Sequence, residues 1–271
     1  MEGSRAARNV LIIAAVVIIV FLKIVWDSRR GDQGAPPPEK RPAPSADAPG
    51  SRPDSLGELV KPPPDRRESD GIAVALLVDT SGSMAQSVRD FDGVSRPKLD
   101  IAKRAGKRVI AKLKEFADSH PERPLKLGLY QFSGNSARRL GGFDVLDQER
   151  AVKDLEKLSR GTGTPIGEAM ILGKRDLDRS GLTKKHLVLL TDGENTAGRD
   201  PTAVAAAMAS LPPEEQAGVY FIAFDVEASR FNAVKNAGVT VLEASSAPEL
   251  DRTLDYIVEK KILLELPDSP K

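Results

Sequence analysis

The chain's pattern predicts an α/β domain with a doubly wound, mostly parallel sheet flanked by helices. Three observations carry that prediction. Apolar runs of strand length, at residues 72–78 and 187–190, show no polar alternation, as strands buried on both faces require. Between such runs, apolar residues recur every three or four positions, the spacing of an amphipathic helix. Strands alternating with helices imply right-handed crossovers and a sheet covered on both sides. Two of the strand runs lead into an aspartate, Asp79 and Asp192, at the carboxyl edge where sheets of this kind bind ligands.

The globular part is expected to start near Gly71, with strand 72–78. Leu99, Ala102, Ala105, Val109, Leu113 and Phe116 then mark one face of a helix. Its other face carries Lys103, Arg104, Lys107, Arg108, Lys112 and Lys114 and reads as a solvated surface. Residues 125–132 form the next strand, and a short strand or hairpin follows through Leu140 and Phe143. Val152, Leu155 and Leu158 mark a helix, and Pro165 suits the first turn of another over residues 166–177. After strand 187–190, Asp200 and Pro201 open a helix carrying Val204, Ala207, Met208 and Leu211. A strand at 219–224, a short helix at 231–235 and a weaker strand at 239–242 follow. Ser246 and Glu249 have capping-box spacing before the last helix, which lines up Leu250, Leu254, Ile257 and Val258.

Ahead of this domain the composition changes twice. Residues 10–26 form an apolar run of 17 residues broken only by Lys23. That length is at the lower limit for a membrane-spanning helix. Lys23 can snorkel from one end, and Trp26 suits the headgroup region. No small-residue cleavage site follows, so the run is expected to be a retained single-pass anchor behind a basic head at residues 1–9. Arg5 and Arg8 precede it and Arg29 and Arg30 follow, so flanking charge gives no bias. A short basic head commonly stays cytoplasmic, which puts the domain on the external side, periplasmic or extracellular. Residues 27–70 are rich in proline and poor in apolar groups and read as an extended, disordered linker. At the polyproline rise, such a segment could span about 120 Å. The domain itself is expected over residues 71–266, with a tail at 267–271.

Composition removes several functions. With 271 residues and a formal net charge of +1, the chain has no electrostatic case for nucleic acid. It has no cysteine, which excludes disulfides, thiolate metal sites and cysteine nucleophiles. Its two histidines, His120 and His186, lie outside the polar motifs.

The loop after the first strand, Asp79-Thr80-Ser81-Gly82-Ser83, offers one carboxylate and hydroxyls two residues apart. Alternate residues in such a loop can aim their oxygens at one point, and oxygen donors suit Mg²⁺ or Mn²⁺ better than zinc. The same residues are also ordinary turn formers. Two later stretches add weight: Gly161-Thr162-Gly163-Thr164-Pro165 and Thr191-Asp192-Gly193.

Together these three stretches resemble the metal ion-dependent adhesion site of the von Willebrand factor type A domain. The family's D-x-S-x-S pattern is matched by Asp79, Ser81 and Ser83, its threonine by Thr164 (Thr162 is the weaker match), and its second aspartate by Asp192. The resemblance implies one Mg²⁺ or Mn²⁺, with hydroxyl oxygens from Ser81, Ser83 and Thr164. Asp79 and Asp192 would act directly or through water. It implies a binding mechanism, not turnover, in which a partner protein's Asp or Glu completes the metal's shell. Met84, Glu194, Asn195 and the loop at residues 86–96 are expected at the rim. Two other classes compete: a Mg²⁺-dependent phosphoryl-transfer enzyme and a metal-free structural domain. The first is disfavoured because Ser81 stands where such phosphatases carry a second acid and no GxxxxGK[ST] loop exists.

Overall fold

The computed structural model describes residues 55–64 and 67–264. The expected anchor and most of the expected linker lie outside these residues. Among the described residues, no helix is long and apolar enough to cross a membrane.

In chain order the elements are α1 (Leu56–Val60), β1 (Ser69–Asp79), β2 (Ser87–Arg89), β3 (Ser95–Pro97), α2 (Lys98–Ser119), β4 (Leu125–Ser133), β5 (Ser136–Arg139) and β6 (Asp144–Val145). Then come α3 (Gln148–Glu156), α4 (Ile166–Asp178), β7 (Leu182–Thr191), α5 (Pro201–Ala209), β8 (Gly218–Phe224), α6 (Asn232–Asn236), β9 (Thr240–Ala244) and α7 (Ala247–Ile257). The main sheet runs β5-β4-β1-β7-β8-β9, with β6 pairing on β4. β4, β1, β7, β8 and β9 are parallel, and β5 and β6 are antiparallel additions at one edge.

β1 lies at the centre because its sequence is apolar on both faces. Ile72, Val74, Leu76 and Val78 pack into the core on one side, beneath α2 and α7. Ala73, Ala75 and Leu77 pack on the other, beneath α4 and α5. Alternate side chains of a strand face opposite ways, so an unbroken apolar run is what a two-sided core demands. Strand order reverses at β1: the chain passes from β1 outward to β4, then returns to β7 on the other side. The crevice at the carboxyl ends of β1 and β7 is therefore the topological switch point.

Several expectations need adjusting. Residues 56–60, inside the stretch read as linker, form helix α1, capped by Ser55 and carrying a buried Val60. β1 begins at Ser69, two residues before the expected boundary. The 86–96 loop contains the small antiparallel ribbon β2–β3. The basic face of α2 is not simply solvated. Lys103 and Lys107 meet Glu156, Arg104 meets Asp90, Arg108 meets Asp251 and Asp255, and Lys112 meets Asp255 and Glu259. These charges align α2 against α3, α7 and the ribbon. Sequence spacing cannot reveal partners this distant along the chain.

Candidate metal-binding site at the switch point

Asp79 ends β1 and is wholly buried. Its Oδ1 accepts from the Ser81 N–H at 2.7 Å, which folds the loop back over the strand end. Its Oδ2 accepts from the Thr191 hydroxyl, at the end of β7, at 2.6 Å. Both donors are neutral. Burial pushes the Asp79 carboxyl up to about 6, against those hydrogen bonds, and the charge of Asp192 adds a smaller push the same way.

The other oxygens form a chain across the crevice. Ser81 Oγ lies 3.0 Å from Ser83 Oγ, and Ser83 Oγ donates to Asp192 Oδ1 at 2.7 Å. Asp79, Ser81, Ser83 and Asp192 are thus brought together around the carboxyl ends of β1 and β7.

Thr164 reaches the same region by a different route. The Gly161 N–H donates to the Thr80 carbonyl at 2.7 Å, pinning the glycine–threonine loop to the first loop. Gly163 has φ +72°, and a Cβ there would meet the Gly134 carbonyl oxygen at 2.6 Å, so only glycine lets the loop lie against the β4–β5 turn. The Thr164 N–H donates to Thr196 Oγ1 at 2.9 Å, and its carbonyl accepts from the Thr196 N–H at 3.1 Å. These bonds fix Thr164 through its backbone to the loop that follows Asp192. Thr164 is buried whereas Thr162 is exposed, which favours Thr164 as the family threonine.

Two rim expectations change. Met84 is fully buried and belongs to the core under α2. Asn195 caps α4, its Oδ1 accepting from the Ile166 N–H at 2.8 Å. Glu194 is exposed and pairs with Arg230 at 3.0 Å.

Two charged residues at the site went unnoticed in the sequence. Lys98, the first residue of α2, is buried, and its ammonium lies 3.0 Å from Asp192 Oδ2 and 2.8 Å from Asp225 Oδ2. Burial works against this charge, but Asp225 and Asp192 outweigh it and hold the ammonium above its ordinary range. Asp225 follows β8 directly and has φ +54°, a left-handed conformation that Asp tolerates better than most residues. A signal existed for each. A cation in the first turn of a helix opposes the helix dipole and calls for an acidic partner. Asp225 repeats the pattern of Asp79 and Asp192, an acid directly after an apolar strand.

The predicted set contains only oxygen donors, two carboxylates and three hydroxyls, which fits a hard dication such as Mg²⁺ or Mn²⁺. A buried carboxylate whose two bonded donors are neutral fits the same ion. Among the described residues, no three His, Cys, Asp or Glu side chains cluster as metal ligands. Any ion here would therefore depend on the serine and threonine hydroxyls.

The family model for the von Willebrand factor type A domain matches residues 74–194, the stretch from β1 through the Thr191-Asp192-Gly193 turn. Residues 74–194 carry a von Willebrand factor type A domain. The "Uncharacterized protein YwmC" of Bacillus subtilis is 29% identical over 61% of this chain and 73% of its own length. The "Magnesium-chelatase 67 kDa subunit" of Chlorobaculum tepidum is 28% identical over 69% of this chain, but the match spans only 28% of that protein. Among solved structures, the vWF domain of the type V pili tip protein Mfa5 from Porphyromonas gingivalis superposes with a TM-score of 0.54. That superposition covers 70% of this chain and 95% of that one at 13% identity, a likeness of fold alone. The type A domain here is thus an α/β fold with a mostly parallel sheet flanked by helices, as the sequence predicts.

Proposed function

We propose that this chain is a membrane-anchored, metal-dependent protein-binding module. In this reading Asp79, Ser81, Ser83, Thr164 and Asp192 hold Mg²⁺ or Mn²⁺, and the partner is a protein presenting an Asp or Glu. The observation that carries the reading is the hydroxyl chain from Ser81 through Ser83 to Asp192, beside the buried carboxylate of Asp79. Thr191 and the Ser81 N–H hold Asp79 in a fixed orientation, so the site is organised before any ligand arrives. When bound, the dication supplies a Lewis-acidic position that a partner carboxylate can occupy. The hydroxyls of Ser81, Ser83 and Thr164 would hold it without neutralising its charge, which would preserve that acidity. A fold shared with a pilus tip domain accords with an adhesive role.

The reading is non-catalytic. Neither histidine is at the site: His120 stacks on Phe116 at the far end of α2, and His186 is buried within β7. An anchor at residues 10–26 and an external domain are part of the same proposal and rest on the sequence alone.

Calorimetric titration of Mg²⁺ or Mn²⁺ into the protein tests the metal. Asp79→Ala is expected to lower affinity at least tenfold, and Ser119→Ala, at the opposite end of α2, to leave it unchanged. Equal affinity in the two variants would remove the site from consideration.

A further inference from the structure

The carboxyl edge of the sheet carries more charge than the five-residue set implies. Asp79 ends β1, Asp192 follows β7 and Asp225 follows β8, so three neighbouring strands of the sheet carry an acid at the carboxyl edge. Two carboxylates would neutralise a dication and leave it able to take an anion. Asp225 is a third negative charge beside that set without being a ligand, and a partner's carboxylate would then meet a net negative surround. The structure supplies a fixed countercharge. The Lys98 ammonium sits between Asp192 Oδ2 and Asp225 Oδ2, at 3.0 and 2.8 Å, with its side chain only 4% exposed. The backbone at this point is held as well, because the Lys98 N–H donates to the Gln86 carbonyl at 2.9 Å.

We infer that Lys98 is a positioning and charge-balancing residue that restrains cation affinity at the site in favour of anion capture. It claims one oxygen of Asp192 and leaves the other to Ser83. It also cancels Asp225, so that the cluster with a dication is neutral instead of negative. This inference deepens the metal-binding reading above and rests on it.

The consequence runs opposite to that of losing a ligand. Lys98→Met removes the positive charge held 3.0 Å from Asp192 Oδ2 and is expected to tighten Mn²⁺ binding by about tenfold. Asp225→Asn removes a negative charge at a partly exposed position and is expected to weaken it by a similar factor. The double variant should return near the wild type.

The experiment is calorimetric titration of Mn²⁺ into the full chain and these three variants, with circular dichroism to confirm folding. Asp225→Asn keeps the test alive should Lys98→Met not fold. If the wild type binds Mn²⁺ and Lys98→Met binds equally or more weakly, the charge-balance inference is overturned and the metal site stands. Unchanged affinity in Asp225→Asn overturns the inference in the same way. If the wild type takes no Mn²⁺ but Lys98→Met does, the ammonium is itself the resident cation, and the metal-bridge reading falls together with the inference that rests on it. If no variant binds Mn²⁺, both fall.

Discussion

Asp79 shows what a ligand-ready carboxylate costs the domain before its ligand arrives. Its carboxyl is pushed up to about 6 from an ordinary 3.8, so at neutral pH the ionised form is destabilising in the metal-free domain. At roughly 1.4 kcal/mol per unit, the penalty is about 3 kcal/mol at most. Asp79→Asn should therefore raise the melting temperature in EDTA by several degrees while abolishing Mg²⁺ binding. Differential scanning calorimetry checks this, and a lower melting temperature would show that Asp79 is structural rather than primed for a cation. Thr164→Ala should weaken Mg²⁺ binding without lowering the melting temperature by more than a degree or two, since the bonds that hold Thr164 run through its backbone. That Asp79, Ser81, Ser83 and Asp192 lie beside one another was legible in the sequence because each stands at or just past the end of an apolar strand run. Lys98 and Asp225 were not, because an ion pair between the start of α2 and the end of β8 joins residues more than a hundred positions apart. Met84 misled for a related reason: its loop position suggested the rim, but the short 3₁₀ turn at Gly82–Ala85 rotates it into the core.

At the scale of elements, the segment before β1 belongs to the domain. Val60 of α1 is buried among Leu177, Val204 and neighbouring core residues, and its carbonyl accepts from the buried Lys174 ammonium at 3.3 Å. Lys174 also pairs with Asp178, and the equally buried Lys185 pairs with Glu68 and Asp178. Residues 60 and 68 thus share with Asp178 the pairing of two ammonium groups within the core. A chain shortened to begin at Gly71 loses only the first two residues of β1 from the sheet, yet it removes the Val60 carbonyl and Glu68 while keeping Asp178. Because Asp178 remains beside both ammonium groups, the loss is only part of the about 3 to 5 kcal/mol that baring a buried charge costs, and exposing Val60 adds its burial energy. The shortened chain should melt at least 5 °C below one beginning at Ser55, as read by thermal circular dichroism. Equal melting temperatures would mean that α1 is only resting on the surface. Proline-rich composition around residues 56–60 hid this helix, since five residues carry too little periodicity to stand out. The strands and long helices were legible because two-sided burial and helical spacing each leave a repeating mark. The helix-to-helix ion pairs of α2 leave none.

Across the whole molecule, two buried groups pull stability in opposite directions as pH falls. His186 lies within β7, its ring stacked on Tyr220, and burial lowers its pKa to about 4 from an ordinary 6.5, with Lys184 adding a smaller push. Between those values the unfolded chain takes a proton that the folded domain refuses, so stability is lost as pH drops from about 6.5 toward 4. Asp79 does the reverse in the metal-free domain. Its folded pKa lies above the unfolded one, so the folded state takes the proton first and stability is gained as pH drops from about 6 toward 3.8. Each contribution is worth roughly 3 kcal/mol at its limit, and the two windows overlap. In the metal-free wild type these two contributions should largely offset, leaving the acid loss of stability to carboxylates such as Asp90, Glu156 and Glu259, whose partners hold them below their ordinary range. Asp79→Asn should unmask the histidine, losing about 3 kcal/mol between pH 7 and pH 4. His186→Gln should unmask the aspartate and become more stable over the same range. Urea denaturation in EDTA at several pH values reads all three profiles. If Asp79→Asn stays flat down to pH 4, His186 is not held neutral by its burial, and the acid behaviour of this domain comes from elsewhere.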